Sequence, residues 1–165
     1  MNVRGAWRLE AFRETTSSGE VREPFGKHPR GLLLYTHDGF MSAQLMAPPT
    51  AHIDAHDIFG LPDAEAAAAA RGYVAYSGPY RLVPGGIEHD LDVALFPGWL
   101  GTRQVRGAIL EGRSLRLSTM TPYISRGAEV TAQLDWLRAT SHSRSTTDVC
   151  EPPHEFPRDV VIAGL

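Results

Sequence analysis

The sequence contains a single cysteine, Cys150, among its 165 residues. One cysteine excludes an intramolecular disulfide and leaves no cysteine cluster that would bind zinc. The chain must therefore be stabilised by a hydrophobic core, and its length is sufficient for one. Because cysteine usage gives no sign of an oxidising compartment, the expected location is the cytoplasm.

Long apolar runs and a bias towards one sign of charge are also absent. No segment approaches the roughly 20 apolar residues of a membrane-spanning helix, and the first residues, MNVRGAWRLEAFRE, lack the apolar core of a signal peptide. The formal charge is −3, with acidic and basic residues interspersed. No basic stripe with interleaved aromatic residues is present, so neither nucleic acid nor a membrane is an expected partner.

Several catalytic and cofactor-binding motifs are missing as well. The sequence has no G-x-S-x-G elbow, no Walker-type phosphate loop and no G-x-G-x-x-G between a strand and a helix. Ser42 and Ser77 lie on predicted strands without the sequence context of a nucleophile. We therefore expect no nucleotide, flavin or other cofactor.

Alternation of apolar and polar residues, with a period of two, is the main pattern that is present. Segments that contain Gly, Pro, Ser or Asp separate the alternating segments, and His37-Asp38-Gly39 is a strong hairpin signal. Eight strands joined mainly by short turns predict an all-β fold, an antiparallel up-and-down barrel with room for one small ligand. The predicted strands span residues 6–12, 32–35, 40–46, 73–83, 87–95, 102–110, 114–120 and 129–138.

One short helix is predicted between the third and fourth strands, in LPDAEAAAAARGY. Asp63 is placed to cap its first turn, and Gly72 is placed to end it. Residues 1–139 are predicted to form the barrel domain, and residues 140–165 a C-terminal extension that begins with a polar segment and ends with DVVIAGL, a candidate edge strand. A homodimer remains an open alternative.

Ionisable side chains stand among apolar ones between Gly86 and Arg106. On the predicted strand, His89 is on the same side as Ile87 and Leu91, which are expected to point into the core. Glu88 and its acidic neighbours are on the other side and are expected to face water. The strand over residues 102–110 places Gln104 and Arg106 on one face, and the pattern does not decide whether that face points inward. Polar groups on an inner wall need partners, which favours a cavity lined for a ligand.

The candidate site centres on His89 and Arg106. A neutral imidazole near pH 7 can accept or donate a proton, and a guanidinium can hold an anionic oxygen. Tyrosine and amide groups would orient a substrate, and large apolar residues would form the wall. The alternative is a buried structural network with tyrosines filling the barrel. The candidate substrate-binding residues are Tyr35, Gln44, Tyr80, Gln104, Met120 and Trp136.

A second cluster, His52, His56 and Asp57, is a possible metal site. On a helix the two histidines would share a face at i and i+4. The segment lacks the glutamate of the zinc-protease motif, and Pro48-Pro49 upstream disfavours a regular helix start. Solvated polar residues before a helix are the simpler explanation, so we expect no metal site.

The order of the motifs resembles the bacterial and fungal lipocalin-like domain family of the calycin superfamily. GAWRLEAF, PRGLLLYTHDGFMSAQLM, AYSGPY, the H-x-L strand, GTRQVRGAILEG and LDWLR carry the resemblance, which covers roughly Gly5 to Arg138. It implies that Gly5 and Trp7 take the place of the lipocalin G-x-W at the barrel floor, with Arg138 nearby. It also implies a small-molecule-binding barrel, and in this family such barrels either carry ligands or act as cofactor-free cyclases and isomerases.

The leading hypothesis is a cofactor-independent biosynthetic enzyme of natural-product metabolism. It would cyclise, isomerise or dehydrate a largely apolar, oxygenated substrate such as a polyketide-like molecule, with His89 as acid/base and Arg106 stabilising negative charge. The alternative is a non-catalytic carrier of a small hydrophobic or amphipathic ligand in the same cavity. A third hypothesis makes the barrel a scaffold and the C-terminal extension a partner-binding strand.

Overall fold

The structure, a computed structural model, describes residues 1–48 and 60–140. Its core is a closed barrel of eight antiparallel strands, as predicted from the alternation. Three very short strands, β2, β7 and β10, are added at its edges. In chain order the strands are β1 (Gly5–Thr16), β2 (Val21–Arg22), β3 (Arg30–Tyr35), β4 (Phe40–Met46), β5 (Tyr73–Val83), β6 (Gly86–Asp90), β7 (Val93–Ala94), β8 (Arg103–Glu111), β9 (Ser114–Thr119), β10 (Tyr123–Ser125) and β11 (Ala128–Arg138).

The barrel closes because β1 pairs with both β3 and β11. The long strands follow one another around the wall in the order β1, β3, β4, β5, β6, β8, β9 and β11. Each is antiparallel to its neighbours, so consecutive strands are joined at alternate ends. One end, which we call the floor, holds the start of β1 and the end of β11. The opposite end, the mouth, holds residues 17–29, 60–72, 95–102 and 120–127.

Within residues 1–48 and 60–140 there is one α-helix, α1 (Asp63–Arg71), which lies between β4 and β5, the third and fourth strands of the barrel. This confirms the predicted position of the helix. Two details differ: Pro62, not Asp63, occupies the N-cap, and none of the alanines is buried. The fixed φ of proline suits a helix start, which leaves Asp63 in the first turn, where its charge is favourable. No helix in the described residues is long and apolar enough to cross a membrane.

Trp7 closes the floor of the barrel. Its side chain is fully buried, and its indole Nε1 donates a hydrogen bond to the Val3 carbonyl at 2.8 Å. The Arg138 guanidinium lies 4.1 Å from the centre of the Trp7 ring and donates to the Arg4 and Asn2 carbonyls. The two residues are paired across β1 and β11, as the family resemblance implied.

The segment after β6 departs from the predicted alternation. Ile87, His89 and Leu91 are buried as expected, but Val93 is exposed because β7 pairs with β5 in a shifted register. Glu88 is also buried instead of facing water. It lies on the outer face of the barrel beneath the side chains of Arg81 and Arg103, with which it forms ion pairs. Burying a carboxylate this way requires the paired charges.

Candidate ligand cavity

A cavity of about 770 Å³ occupies the interior of the barrel and opens at the mouth. This volume is within the usual range of small-molecule sites. Most of its wall is formed by apolar side chains that alternate inward along the strands, as expected for a barrel that holds a ligand. They include Phe12, Leu33, Leu45, Leu117, Ala132 and Leu134.

The pairing of β8 with β6 shows which side chains of β8 point into the barrel. Gln104 is opposite His89 and Arg106 is opposite Ile87, and both β6 residues are fully buried. Gln104 and Arg106 consequently line the cavity, whereas Ile109 on the other parity is 54% exposed.

Arg106 is half-buried, and its Nη2 donates a hydrogen bond to Gln104 Oε1. None of the ion pairs within residues 1–48 and 60–140 includes Arg106. A guanidinium has five N–H donors, so most of them remain to meet water or a ligand. Arg106 is therefore a positively charged, multidentate donor on a mainly apolar wall.

Glu14 is a buried residue of the cavity wall that the sequence did not indicate. The hydroxyl of Tyr123 donates to its Oε1 at 2.5 Å, and the Ser125 hydroxyl donates to Oε2 at 3.0 Å. The carboxylate thus ties the β10 strand to β1 across the mouth. Burial, and next the hydrogen bond to Glu14, raise the pKa of Tyr123 above its ordinary value, so its hydroxyl stays protonated.

A β-bulge between Leu9 and Ala11 explains why Glu14 faces inward. Before the bulge the odd positions of β1, Trp7 and Leu9, point into the barrel, and after it the even positions do. A bulge changes the parity of every later residue in a strand. The only sign of the bulge in the sequence is Phe12, an apolar residue two positions before Glu14, whose side chain points to the same side of the strand.

Glu14 and Arg106 lie at the same height of the barrel. Glu14 is opposite Ala132, whose N–H donates to Thr119 Oγ1, and Thr119 is opposite Arg106. Both charged groups act on the pKa of Tyr123, Glu14 raising it and Arg106 lowering it. We call Glu14, Thr119, Arg106 and Tyr123 the polar belt. These hydrogen-bonding groups follow one another around part of the barrel wall near the mouth.

Trp136 lies deeper, on the floor side of the cavity. It is four positions beyond Ala132 on β11, which corresponds to about 13 Å of strand. Its side chain is only 2% exposed and lines the cavity. The indole Nε1 is buried without a hydrogen-bond partner among the described residues. Of the predicted site residues, Trp136, Gln104 and Arg106 are the ones that line the cavity.

His89 and Tyr35 lie in the core next to the cavity and do not line it. The Tyr35 hydroxyl is 2.9 Å from His89 Nε2, and Tyr80 and Tyr76 pack around the pair. Burial, followed by the positive charge of Arg106, lowers the pKa of His89 to about 3. Burial also raises the pKa of Tyr35 well above its usual value. Both side chains are neutral at pH 7, an arrangement that matches the structural alternative.

The remaining predicted site residues lie outside the cavity. The Tyr80 hydroxyl donates to the Thr36 carbonyl at the floor. Gln44 is exposed on the outer face and accepts a hydrogen bond from Tyr73, because the inward parity of β4 belongs to Met41, Ala43 and Leu45. Met120 follows the end of β9 and is 61% exposed. For Gln44 and Met120 the structure corrects the expectation of an inward side chain.

The cluster considered above as a possible metal site, His52, His56 and Asp57, lies outside the described residues. The described ranges contain no group of three or more His, Cys, Asp or Glu side chains arranged to hold a metal ion. Most of the predicted C-terminal extension, residues 141–165, is likewise outside what the structure describes.

Comparison with known proteins agrees with the resemblance that the sequence motifs indicated. Residues 4–139 match the family model described as a lipocalin-like domain. The chain belongs to the lipocalin-like domain family.

One curated relative of this lipocalin-like chain is the 4'-hydroxy-3'-methoxypropiophenone carrier protein ppsC of Aspergillus oryzae. It is 33% identical over 104 residues, which cover 58% of this chain and 94% of the relative. A lipocalin-like protein from Bacteroides uniformis is 16% identical, covers 83% of this chain and 98% of its own, and has a TM-score of 0.42. A mutant of the fluorescent protein UnaG is 11% identical, covers 84% and 97%, and has a TM-score of 0.36.

Proposed function

We propose that this lipocalin-like barrel binds a small, largely apolar molecule with oxygen functions and carries it chemically unchanged. The observation that supports this most is the combination of an apolar cavity of about 770 Å³ with Arg106, a guanidinium without a carboxylate partner in the described chain. An apolar wall with a few convergent polar groups is typical of small-molecule sites.

The ligand class we propose is an aromatic or polyketide-like ketone. The A. oryzae relative is named as the carrier of an aromatic ketone that bears a hydroxyl and a methoxy group. A cavity walled by Phe12, Phe25 and Trp99 would pack against an aromatic ring. The polar belt offers both a donor, Arg106, and an acceptor, Glu14, for the oxygen substituents of such a molecule.

Cofactor-free catalysis is the second candidate, and the polar belt is the observation that favours it. Arg106 would stabilise a developing oxyanion, and Glu14 with Tyr123 would exchange a proton. Our first hypothesis, with His89 as the acid/base, receives less support because His89 is not part of the cavity wall and its pKa of about 3 keeps it neutral. A carrier requires none of these groups to react.

The test is a titration with 4'-hydroxy-3'-methoxypropiophenone, monitored by the fluorescence of Trp99 and Trp136 in the wall. We expect saturable binding that is lost in the cavity-filling variants Ala132→Phe and Leu117→Trp and kept in Ile109→Phe, a matched change on the outer face. Circular dichroism checks that each variant is folded. Absence of binding to the wild type, or equal binding by folded filled variants, would overturn the proposal.

Mass spectrometry of the incubated ligand separates the two functions. A carrier returns the ligand unchanged, and Arg106→Met lowers only its affinity. An enzyme produces a new compound, and Arg106→Met lowers turnover while binding persists.

A further inference from the structure

Three buried side-chain polar atoms have no hydrogen-bond partner among the described residues: Glu88 Oε1, His89 Nδ1 and the Trp136 indole Nε1. Of these three residues, Trp136 is the one that lines the cavity. The other tryptophan of the core, Trp7, donates to the Val3 carbonyl. An indole N–H is only a donor, and leaving a buried donor unpaired costs about 1–3 kcal/mol. Something inside the cavity is therefore expected to accept this hydrogen bond.

The surroundings of Trp136 limit what that acceptor is. Across the neighbouring strands it is opposite Leu9 on β1 and Leu115 on β9, and both are buried. The polar belt begins at the height of Ala132, which is four positions, or about 13 Å of strand, from Trp136. A carboxylate or other ion placed between these apolar side chains would lose its hydration, which costs free energy. A neutral acceptor, such as a ketone or ester carbonyl oxygen, meets no such penalty.

We infer that Trp136 Nε1 forms a carbonyl subsite at the deep end of the cavity. This inference rests on the proposed function and adds an orientation to it: the neutral carbonyl end of the ligand enters first and binds Trp136. Hydroxyl or anionic substituents stay at the height of Arg106 and Glu14. Trp136 is in this sense a specificity residue, since it selects ligands by the oxygen at their buried end.

The first test compares two probes of similar shape, propiophenone and propylbenzene, which differ by the carbonyl oxygen. Affinities are measured by calorimetry for the wild type, Trp136→Phe and Trp99→Phe. The quantity compared is the affinity for propiophenone divided by the affinity for propylbenzene. In Trp136→Phe we expect this ratio to be about 3- to 10-fold lower than in the wild type, as for one lost hydrogen bond. Trp99→Phe makes the same chemical change at the mouth. Because both probes carry the same phenyl ring, it should change the two affinities alike and leave their ratio unchanged.

A second readout follows the indole N–H resonances of the three tryptophans by ¹H–¹⁵N NMR. The Trp136 signal is assigned by its loss in Trp136→Phe. Propiophenone should move this signal downfield and propylbenzene should not, while the Trp7 signal stays in place because its N–H is already bonded.

The outcomes separate the inference from the proposed function. If neither probe binds the wild type, the proposed function itself fails. If both probes bind with an unchanged ratio in Trp136→Phe and shift the indole signal equally, the barrel binds ligands but the carbonyl subsite is overturned. That second result is also the one expected if internal water satisfies Trp136.

Discussion

The Tyr35 hydroxyl and His89 Nε2 lie 2.9 Å apart in a part of the core where both side chains are almost completely buried. Each residue alone would be a costly polar group in such a place. The hydrogen bond between them satisfies the Tyr35 hydroxyl and His89 Nε2, whereas His89 Nδ1 is buried without a partner among the described residues. Because the pair is neutral and lies behind the cavity wall, its first effect is on the stability of the barrel and on how that stability depends on pH.

His89 makes the barrel less stable in mild acid. Its pKa is about 3 in the folded chain and near 6.5 when unfolded, so between these values the unfolded state binds an additional proton. Stability is therefore fully present above pH 6.5 and falls as the pH drops towards 3, by up to about 1.4 kcal/mol per pH unit. The free energy of unfolding, measured with urea between pH 7.5 and 4.5, should change less steeply with pH in His89→Gln than in the wild type.

The control for this slope is His37→Gln, which removes an exposed histidine from the floor turn. The slope of the free energy of unfolding against pH should be smaller for His89→Gln than for this variant. If the free energy of unfolding of His89→Gln depended on pH as steeply as that of the wild type, the assignment of a neutral, buried His89 would be contradicted.

Arg138 stabilises the floor through its position over Trp7. Arg138→Met removes the cation–π contact and two hydrogen bonds to the Arg4 and Asn2 carbonyls. The free energy of unfolding, measured by urea denaturation, should fall by about 1–3 kcal/mol. Arg116→Met, which breaks an exposed ion pair with Asp135, should change it by less than about 1 kcal/mol. Equal effects of the two changes would mean that the floor contact adds nothing specific.

Glu14 holds the hairpin of β10 and β11 against β1. Glu14→Leu leaves the hydroxyls of Tyr123 and Ser125 without their acceptor. We expect faster amide hydrogen exchange over residues 121–130, with the strands at the floor unchanged. Glu10→Leu, at a position on β1 that is exposed, is the matched control. Wild-type protection of the hairpin in Glu14→Leu would show that this carboxylate does not tie it down.

Gly78 allows β5 to approach the end of β6. A Cβ atom at this position would lie 1.9 Å from the Asp90 carbonyl oxygen, which is a backbone atom and cannot easily move. Gly78→Ala should therefore lower the thermal midpoint markedly, with a loss of at least about 2 kcal/mol. Gly98→Ala, where an added Cβ meets no atom within 4 Å, should have little effect. A wild-type midpoint for Gly78→Ala would be evidence against the register of β5 and β6.

The fold was predictable because strand alternation and turn residues are local signals. The eight barrel strands and the helix after Met46 follow from them, and the G-x-W at Trp7 indicated the floor. Gln44 could also have been excluded, since Met41, Ala43 and Leu45 already define the inward parity of its strand.

The rest of the site depends on features that alternation does not contain. The bulge after Leu9 turns Glu14 inward, and it arises from pairing between β1 and β11, which are far apart in sequence. Alternation also gives the face of a side chain but not its depth. His89 does point inward, yet it lies behind the wall, whereas Trp136 reaches the cavity.

The most direct test of the central claim, that the ligand binds inside the barrel, is methyl NMR of leucine-labelled protein titrated with 4'-hydroxy-3'-methoxypropiophenone. Leu33, Leu45, Leu117 and Leu134 line the cavity, whereas Leu32, Leu34 and Leu137 are on the outer face. We predict saturable shifts of the first group and unchanged signals in the second. Shifts confined to the outer leucines, or no saturable shift in either group, would contradict a ligand-binding interior.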